Sequence, residues 1–307
     1  MTRRRATLLD RVVYWLVRAV FFVLGILPEW ASYGFVAGLG RLFFRLSRRR
    51  QRIALHNLRQ AMGPGPSDRE LLALGRAATG NIFRAVIDMV KLRQGGPAAW
   101  HGRVDDQSYR TLVQPLLGKP FIAVTPHLGS WELAVAVLAA TGFKLHVIAR
   151  RMDNPLLDRW LIGFRESHGL TILPRRGGIK HVVAALRRGE VVGALLDQNQ
   201  RKRGIFIPVF GKLASTDRSI ASFAVRWNLP VLVASAVRVG RGFRFAGDCE
   251  PLLLPERGGD RDQDTAALAL RIQQAMERLI LRHPEQYFWV HDRYRTRPPE
   301  ERAGAAP

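Results

Sequence analysis

Two long apolar stretches open the chain: Val12 to Leu27, interrupted by Arg18, and Ala31 to Leu46, with a break at Pro28 between them. Each is shorter than the ~20 residues that cross a bilayer comfortably. Basic residues flank both, with Arg3, Arg4 and Arg5 ahead of the first and "SRRRQR" from Ser47 behind the second. Positive flanks on both sides hold both ends on one face of a membrane. The pattern predicts a helical hairpin dipping into a leaflet, or helices lying in the interface. A pair of buried core helices gives the same pattern. No small-residue cleavage site follows the first run, which argues against a cleaved signal peptide.

Further along, the period changes. "GPGPSDRE" ends in a capping box, with Ser67 and Glu70 able to bond reciprocally, and a helix should run from it to about Arg93, weakened by Gly75 and Gly80. "QGGPAA" then breaks the chain. Short runs rich in β-branched residues follow at 121–125, 144–149, 170–173, 191–196, 230–237 and 243–248. Helical patterns fall between them near 131–141, 155–168, 179–188 and 216–228. Asn154-Pro155 reads as a cap followed by proline at the first helical position, and Gly189 as a helix stop. This alternation predicts an α/β fold, a mixed and largely parallel sheet flanked by helices, behind an N-terminal membrane-associated helical segment. The expected divisions are 1–50 for the anchor, 51–297 for the α/β domain and 298–307 for a disordered tail.

Composition narrows the function classes. With 47% hydrophobic residues over 307, the chain is not intrinsically disordered. Cys249 is the single cysteine, so there is no internal disulfide, and no Cys/His cluster has zinc spacing. The net charge of +23 attracts polyanions: nucleic acid, anionic lipid headgroups, phosphorylated glycolipids or an acidic carrier protein. Basic residues near 48–52, 175–180 and 201–203 are placed to steer such partners.

The most informative stretch is "FIAVTPHLGSWELAVAV", residues 121–137. Pro126 ends a strand, so His127 falls just past a carboxyl strand end, where open α/β sheets bind ligands. Leu128-Gly129 makes the turn, and Ser130 is a natural N-cap for a helix carrying Trp131 and Glu132. On one continuous helix His127 and Glu132 would point apart; with His127 on the preceding turn they can converge. A carboxylate against one imidazole nitrogen fixes the tautomer and makes the other nitrogen a base. A packing or capping role fits the same spacing.

"HLGSWE" is similar to the H-x4-D/E motif of glycerolipid acyltransferases, and the text around it resembles the lipid A late acyltransferases, the lauroyl/myristoyl transferase group. Three further blocks carry the resemblance in order: "IARRMDNPLLDRWLIGFRESHGLTIL" (148–173), "GEVVGALLDQNQRKRGIFIPVFGKLAST" (189–216) and "HPEQYFWVHDRYRTRP" (283–298). "RRRQRIALHNLRQAM" resembles the segment that follows their membrane anchor.

The resemblance implies a bacterial inner-membrane enzyme with its catalytic domain on the cytoplasmic face. It would move a fatty acyl chain from acyl carrier protein to a hydroxyl of a phosphorylated glycolipid, a lipid A precursor. His127 is then the general base, oriented by Glu132. Arg150 and Arg165 become ligands of substrate phosphate or carbonyl, with Arg151, Asn154, Asp197 and Gln198 beside them. The residues themselves leave the arginines free to be surface charge paired with Asp153, Asp158 and Glu166, and Asp197 to be half of a structural ion pair. Phe206, Phe210 and Trp131 are candidates for the acyl pocket, although Phe206 and Phe210 suit core packing equally. "YFWVHDRYR" reads as a late structural strand. Transfer is direct through a tetrahedral oxyanion, for which amides near Gly129 are candidate donors. No metal and no cofactor are expected, and Cys249 is a poor nucleophile candidate. Rival readings are an acyltransferase for another lipid, such as phosphatidylinositol mannoside, and a non-enzymatic membrane-bound polyanion binder. No nucleic-acid motif is present, so nucleic acid is not an expected partner.

Overall fold

The computed structural model describes residues 5–95, 100, 102–174 and 177–303. Four helices come first: α1 (Leu8–Ile26), α2 (Glu29–Leu46), α3 (Arg48–Met62) and α4 (Asp68–Gly95). Next come β1 (Val104–Asp105), α5 (Gln107–Val113), β2 (Ile122–Thr125), α6 (Trp131–Ala140), β3 (Leu145–Ala149), α7 (Pro155–Glu166) and β4 (Leu170–Pro174). After these lie α8 (Ile179–Arg187), β5 (Val191–Leu195), β6 (Ile205–Val209), β7 (Lys212–Thr216) and α9 (Ser219–Trp227). The chain closes with β8 (Val231–Arg238), β9 (Phe245–Cys249), α10 (Arg261–Arg282) and α11 (Pro299–Ala303).

Seven strands form one sheet in the order β1-β9-β8-β2-β5-β3-β4. Every pairing in it is parallel except β8 with β9. The alternation of side chains along a strand explains why its runs are apolar throughout. On β2, Ile122 and Val124 face a core shared with α8, α9 and α10, whereas Ala123 and the preceding Phe121 face one shared with α5 and α6. Sandwiched between helices, the central strands have no wet side.

The predicted strands and helices at 121–249 all appear, within a few residues of their expected ends. The capping box at Ser67 forms, with the Ser67 amide and hydroxyl both donating to Glu70 Oε2 at 2.8 and 2.7 Å. Gly189 ends α8 with φ +76°. Two elements lie outside the expectations, and two expectations are corrected. The long amphipathic helix α10 and the antiparallel β6–β7 hairpin have no counterpart in the sequence reading. Residues 287–295 are not a strand; local turn bonds take the carbonyls of Tyr287 and Phe288, and side chains take the next three. Asn57 donates to Trp289 O and His291 O, both at 2.7 Å, and Arg50 donates to Val290 O at 2.9 Å. The expected disordered tail contains α11, where Arg297 pairs with Glu301; 304–307 lie outside the described residues.

The four leading helices are built into the fold. Gly75 and Gly80, which weaken α4 as a helix, are where α2 comes close: a Cβ on Gly80 would sit 3.2 Å from Ala37 O, and one on Gly75 3.0 Å from the Phe44 ring. At the centre of this contact Tyr33 of α2 donates to Asp88 of α4 at 2.7 Å, and Arg238 of β8 donates to both Asp88 oxygens at 2.7 and 2.6 Å. Burial works against the Arg238 charge, and Asp88 together with Tyr33 outweighs it, so the guanidinium is held above its ordinary value. Yet α1 and α2 also leave a large apolar surface uncovered, including Leu9, Trp15, Leu16, Phe22, Trp30 and Phe35. Among the described residues, no helix is long and apolar enough to cross a membrane.

Asp88→Ala would strand the buried Arg238 charge, a loss of about 3–5 kcal/mol in comparable pairs. We expect a matching fall in unfolding free energy on denaturant titration in micelles. A loss below ~1 kcal/mol would show that the pair does not join the helical layer to the sheet.

Candidate active site

Parallel pairing of β2 with β5 aligns Ile122 with Val192 and Thr125 with Leu195. Two residues beyond each strand end stand His127 and Asp197. The His127 backbone N–H donates to Asp197 Oδ2 at 2.8 Å, and its Nδ1 lies 2.7 Å from Asp197 Oδ1. Asp197 is buried, which alone would raise its carboxyl, but the charge and hydrogen bonds of His127, aided by His291, hold it below its ordinary value. An ionised carboxylate only accepts, so Nδ1 carries the ring proton. Nε2 is therefore the lone-pair nitrogen, and the Gln198 amide nitrogen lies 3.3 Å from it.

The turn bearing His127 is fixed from several directions. Gly129 takes φ +59°, and a Cβ there would lie 2.1 Å from Ala236 O, so only glycine fits. Its N–H donates to Gln286 O at 3.2 Å, the Ser130 N–H donates to Ala236 O at 2.8 Å, and the Ser235 hydroxyl donates to Leu128 O at 2.8 Å. These bonds bear on two expectations. The Gly129 and Ser130 amides are already committed, which narrows the expected oxyanion donors near Gly129 to the following amides at the start of α6. Ser130 does not cap α6 with its side chain, whose buried hydroxyl has no partner among the described residues. Trp131 and Phe288 flank the imidazole, with ring centroids 5.1 and 5.9 Å away. Behind Asp197 stands the buried Tyr287; burial raises its phenol first, and the Asp197 charge adds to the rise.

Glu132 is not the partner of His127. It is buried on the first turn of α6 and receives Arg165 of α7 in a fork, Nε to Oε2 at 3.0 Å and Nη2 to Oε1. Burial lowers Arg165, and Glu132, with Asp158, more than restores it. The physical reason for the correction is placement. The Asp197 backbone lies beside the His127 turn, while Glu132, one helical turn on, points toward α7.

A cleft of about 460 Å³ opens at this edge of the sheet, with His127, Arg150, Arg165, Gln198, Asn199 and Asp217 among its polar walls. Leu161, Ile179, Val182, Ile220 and Phe223 supply an apolar side. The structure thus brings His127, Asp197, Gln198, Arg150 and Arg165 together. It sets others apart. Asn154 caps α7, taking the Leu156 and Leu157 amides and donating to Asp10 O, so its polar atoms are spent. Arg151 pairs with Asp158 at 3.1 Å and does not line the cleft. Phe210 packs on Trp289, and neither it nor Phe206 lines the cleft. The apolar cleft residues on α7, α8 and α9 were invisible as a pocket in the sequence because each belongs to an ordinary amphipathic helix.

Residues 2–296 match the sequence model of the family described as bacterial lipid A biosynthesis acyltransferase. The chain is 25% identical to the lipid A biosynthesis lauroyltransferase of Escherichia coli K12, over 92% of this chain and 92% of that protein. It is 24% identical to the lipid A biosynthesis myristoyltransferase of the same organism, over 94% of this chain and 88% of that one. A phosphatidylinositol mannoside acyltransferase of Mycobacterium tuberculosis is 26% identical over 56% of this chain and 54% of its own. With the match covering nearly the whole chain, this protein belongs to the bacterial lipid A biosynthesis acyltransferase family and is an acyltransferase.

Proposed function

We propose that this acyltransferase moves a fatty acyl chain from acyl carrier protein to a hydroxyl of a lipid A precursor at the cytoplasmic face of a bacterial inner membrane. The observation that carries the reading is the His127–Asp197 pair, with a basic imidazole nitrogen beside a cleft that is apolar on one side and cationic on the other. Nε2 of His127 takes the proton of the acceptor hydroxyl as its oxygen attacks the thioester carbonyl. A tetrahedral oxyanion forms, then collapses with breakage of the C–S bond, and the departing thiolate takes the proton back from Nε2. No acyl-enzyme is required, and Cys249, on β9 and raised chiefly by burial, is not part of the cleft.

The arginines divide the remaining work. Arg165 is fixed by Glu132 through Nε and Nη2, which leaves Nη1 for a phosphate or carbonyl oxygen. Arg150, with its side chain 75% exposed at the mouth of the cleft, suits the acceptor's phosphate. The acyl chain lies along Leu161, Ile179, Ile220 and Phe223. The uncovered apolar faces of α1 and α2 rest in the membrane interface, with Leu9, Leu16, Phe22 and Trp30 all exposed.

His127→Ala should lower transfer by 10²–10⁴-fold in a micelle assay with labelled acyl carrier protein thioesters and a tetra-acylated lipid A precursor, with the fold intact by circular dichroism. Activity above about a tenth of wild type would remove His127 from the chemistry. Because α2 is part of the core, removing residues 1–46 would unfold the chain; a milder change tests the membrane reading. Replacing Leu9, Leu16 and Phe22 together by Gln should move the folded protein from the membrane to the soluble fraction. Full retention in the membrane fraction would contradict an interfacial seat for α1.

A further inference from the structure

A second basic cleft, of about 690 Å³, lies away from His127, between α2, α4 and the β8–β9 connection. Arg41, Arg84 and Arg241 line it, with Glu29, Tyr33 and Trp30. Its charges do not balance. Glu29 is committed to the Phe243 N–H at 2.7 Å and to Arg103 at 2.9 Å, and Asp88, behind the cleft, is held by Arg238 and Tyr33. Arg41 and Arg241 have no ion-pair partner among the described residues. Arg84 donates through Nη1 to Asn81, but its Nε is buried with no partner among the described residues. Burial, then Arg238 and Arg41, with Arg241 adding after the opposing effect of Asp88, press Arg84 below its ordinary value.

Leaving a guanidinium donor buried and unpaired is costly, and three uncompensated arginines repel one another. An acceptor with several oxygens and negative charge removes both problems at once. The neighbours indicate where it comes from. Trp30 is 81% exposed on the same wall, near the start of α2, the helix that with α1 carries the exposed apolar residues. An exposed tryptophan beside arginines, at the edge of an apolar surface, suits the headgroup level of a bilayer. Resting on the reading of α1 and α2 as the membrane-facing helices, we propose that Arg41, Arg84 and Arg241 bind the phosphate of an anionic membrane phospholipid. The site orients the enzyme on the leaflet and is separate from the acyl-transfer cleft.

The test uses the full chain in detergent, titrated with dihexanoyl phosphatidylglycerol and, separately, with inorganic phosphate, read by tryptophan emission. The lipid should give a saturable change that is absent in Trp30→Phe. The double variant Arg41→Gln/Arg241→Gln should weaken the apparent affinity at least roughly tenfold, as should Arg84→Gln. A charge-matched control at remote exposed arginines, Arg187→Gln/Arg226→Gln, should stay within about twofold of wild type, which separates a site from the overall charge of +23. Inorganic phosphate should bind at least roughly tenfold more weakly than the lipid. The proposal is overturned if the arginine double variant binds like wild type, if the control weakens as much, if Trp30→Phe keeps the full signal, or if inorganic phosphate binds as tightly. Acyl transfer measured on the same samples keeps the two readings apart. The Arg41→Gln/Arg241→Gln protein should transfer in micelles at a rate within about threefold of wild type, since its cleft does not contain His127. Lipid binding without transfer in wild type would count against the acyltransferase mechanism alone.

Discussion

The reactive end of this protein depends on one parallel pairing. Because β2 and β5 are neighbours in fixed register, the residues two steps past their ends meet, and those residues are His127 and Asp197. A shift of one residue would turn Asp197 to the other face and leave an imidazole with no orienting carboxylate. The register is held by apolar residues buried on both faces of the sheet, so the core and the chemistry are specified together. The same contact places the proton: burial pushes the Asp197 carboxyl up, His127 more than offsets it, and a carboxylate that only accepts holds the ring proton on Nδ1.

Around that pair the chain is arranged in clamps. Gln286 receives the Gly129 amide and exchanges two bonds with the Arg238 backbone. Asn57 and Arg50 of α3 hold the carbonyls of the segment that carries Phe288 to the imidazole. Tyr33 and Asp88 carry the attachment on to α2 and α4. The helices that bear the apolar outer surface are thus tied to the strand ends that bear the chemistry. On our reading of that surface as membrane-facing, this coupling sets the height of the cleft relative to the lipid.

The sheet was legible in the sequence because strands buried on both sides read as uninterrupted β-branched runs, and because caps such as Asn154 and stops such as Gly189 are local. The position of His127 was legible for the same reason, since a strand end followed by Pro126 needs no tertiary information. Its partner was not. Glu132 is near in sequence, Asp197 is 70 residues away, and only the strand order β2-β5 makes the distant one the neighbour. The carboxyl-terminal block was misread as a strand because its aromatic alternation is real while its hydrogen bonds go to side chains of α3. Phe206 and Phe210 looked like pocket residues, yet a pocket is made by faces of separate helices, which no single motif encodes. The arginine cluster Arg41, Arg84 and Arg241 is spread over 200 positions and is visible only in space.

The central claim is that Asp197, and not Glu132, tunes His127. The direct measurement is kcat and KM for transfer in wild type, Asp197→Asn and Glu132→Gln. An Asn amide nitrogen at 197 donates to Nδ1 and leaves the ring proton on Nε2, so kcat should fall by roughly 10²–10⁴-fold. In Glu132→Gln the loss should be smaller and come through a loosened Arg165, chiefly in KM. A kcat that falls further in Glu132→Gln than in Asp197→Asn would contradict the account.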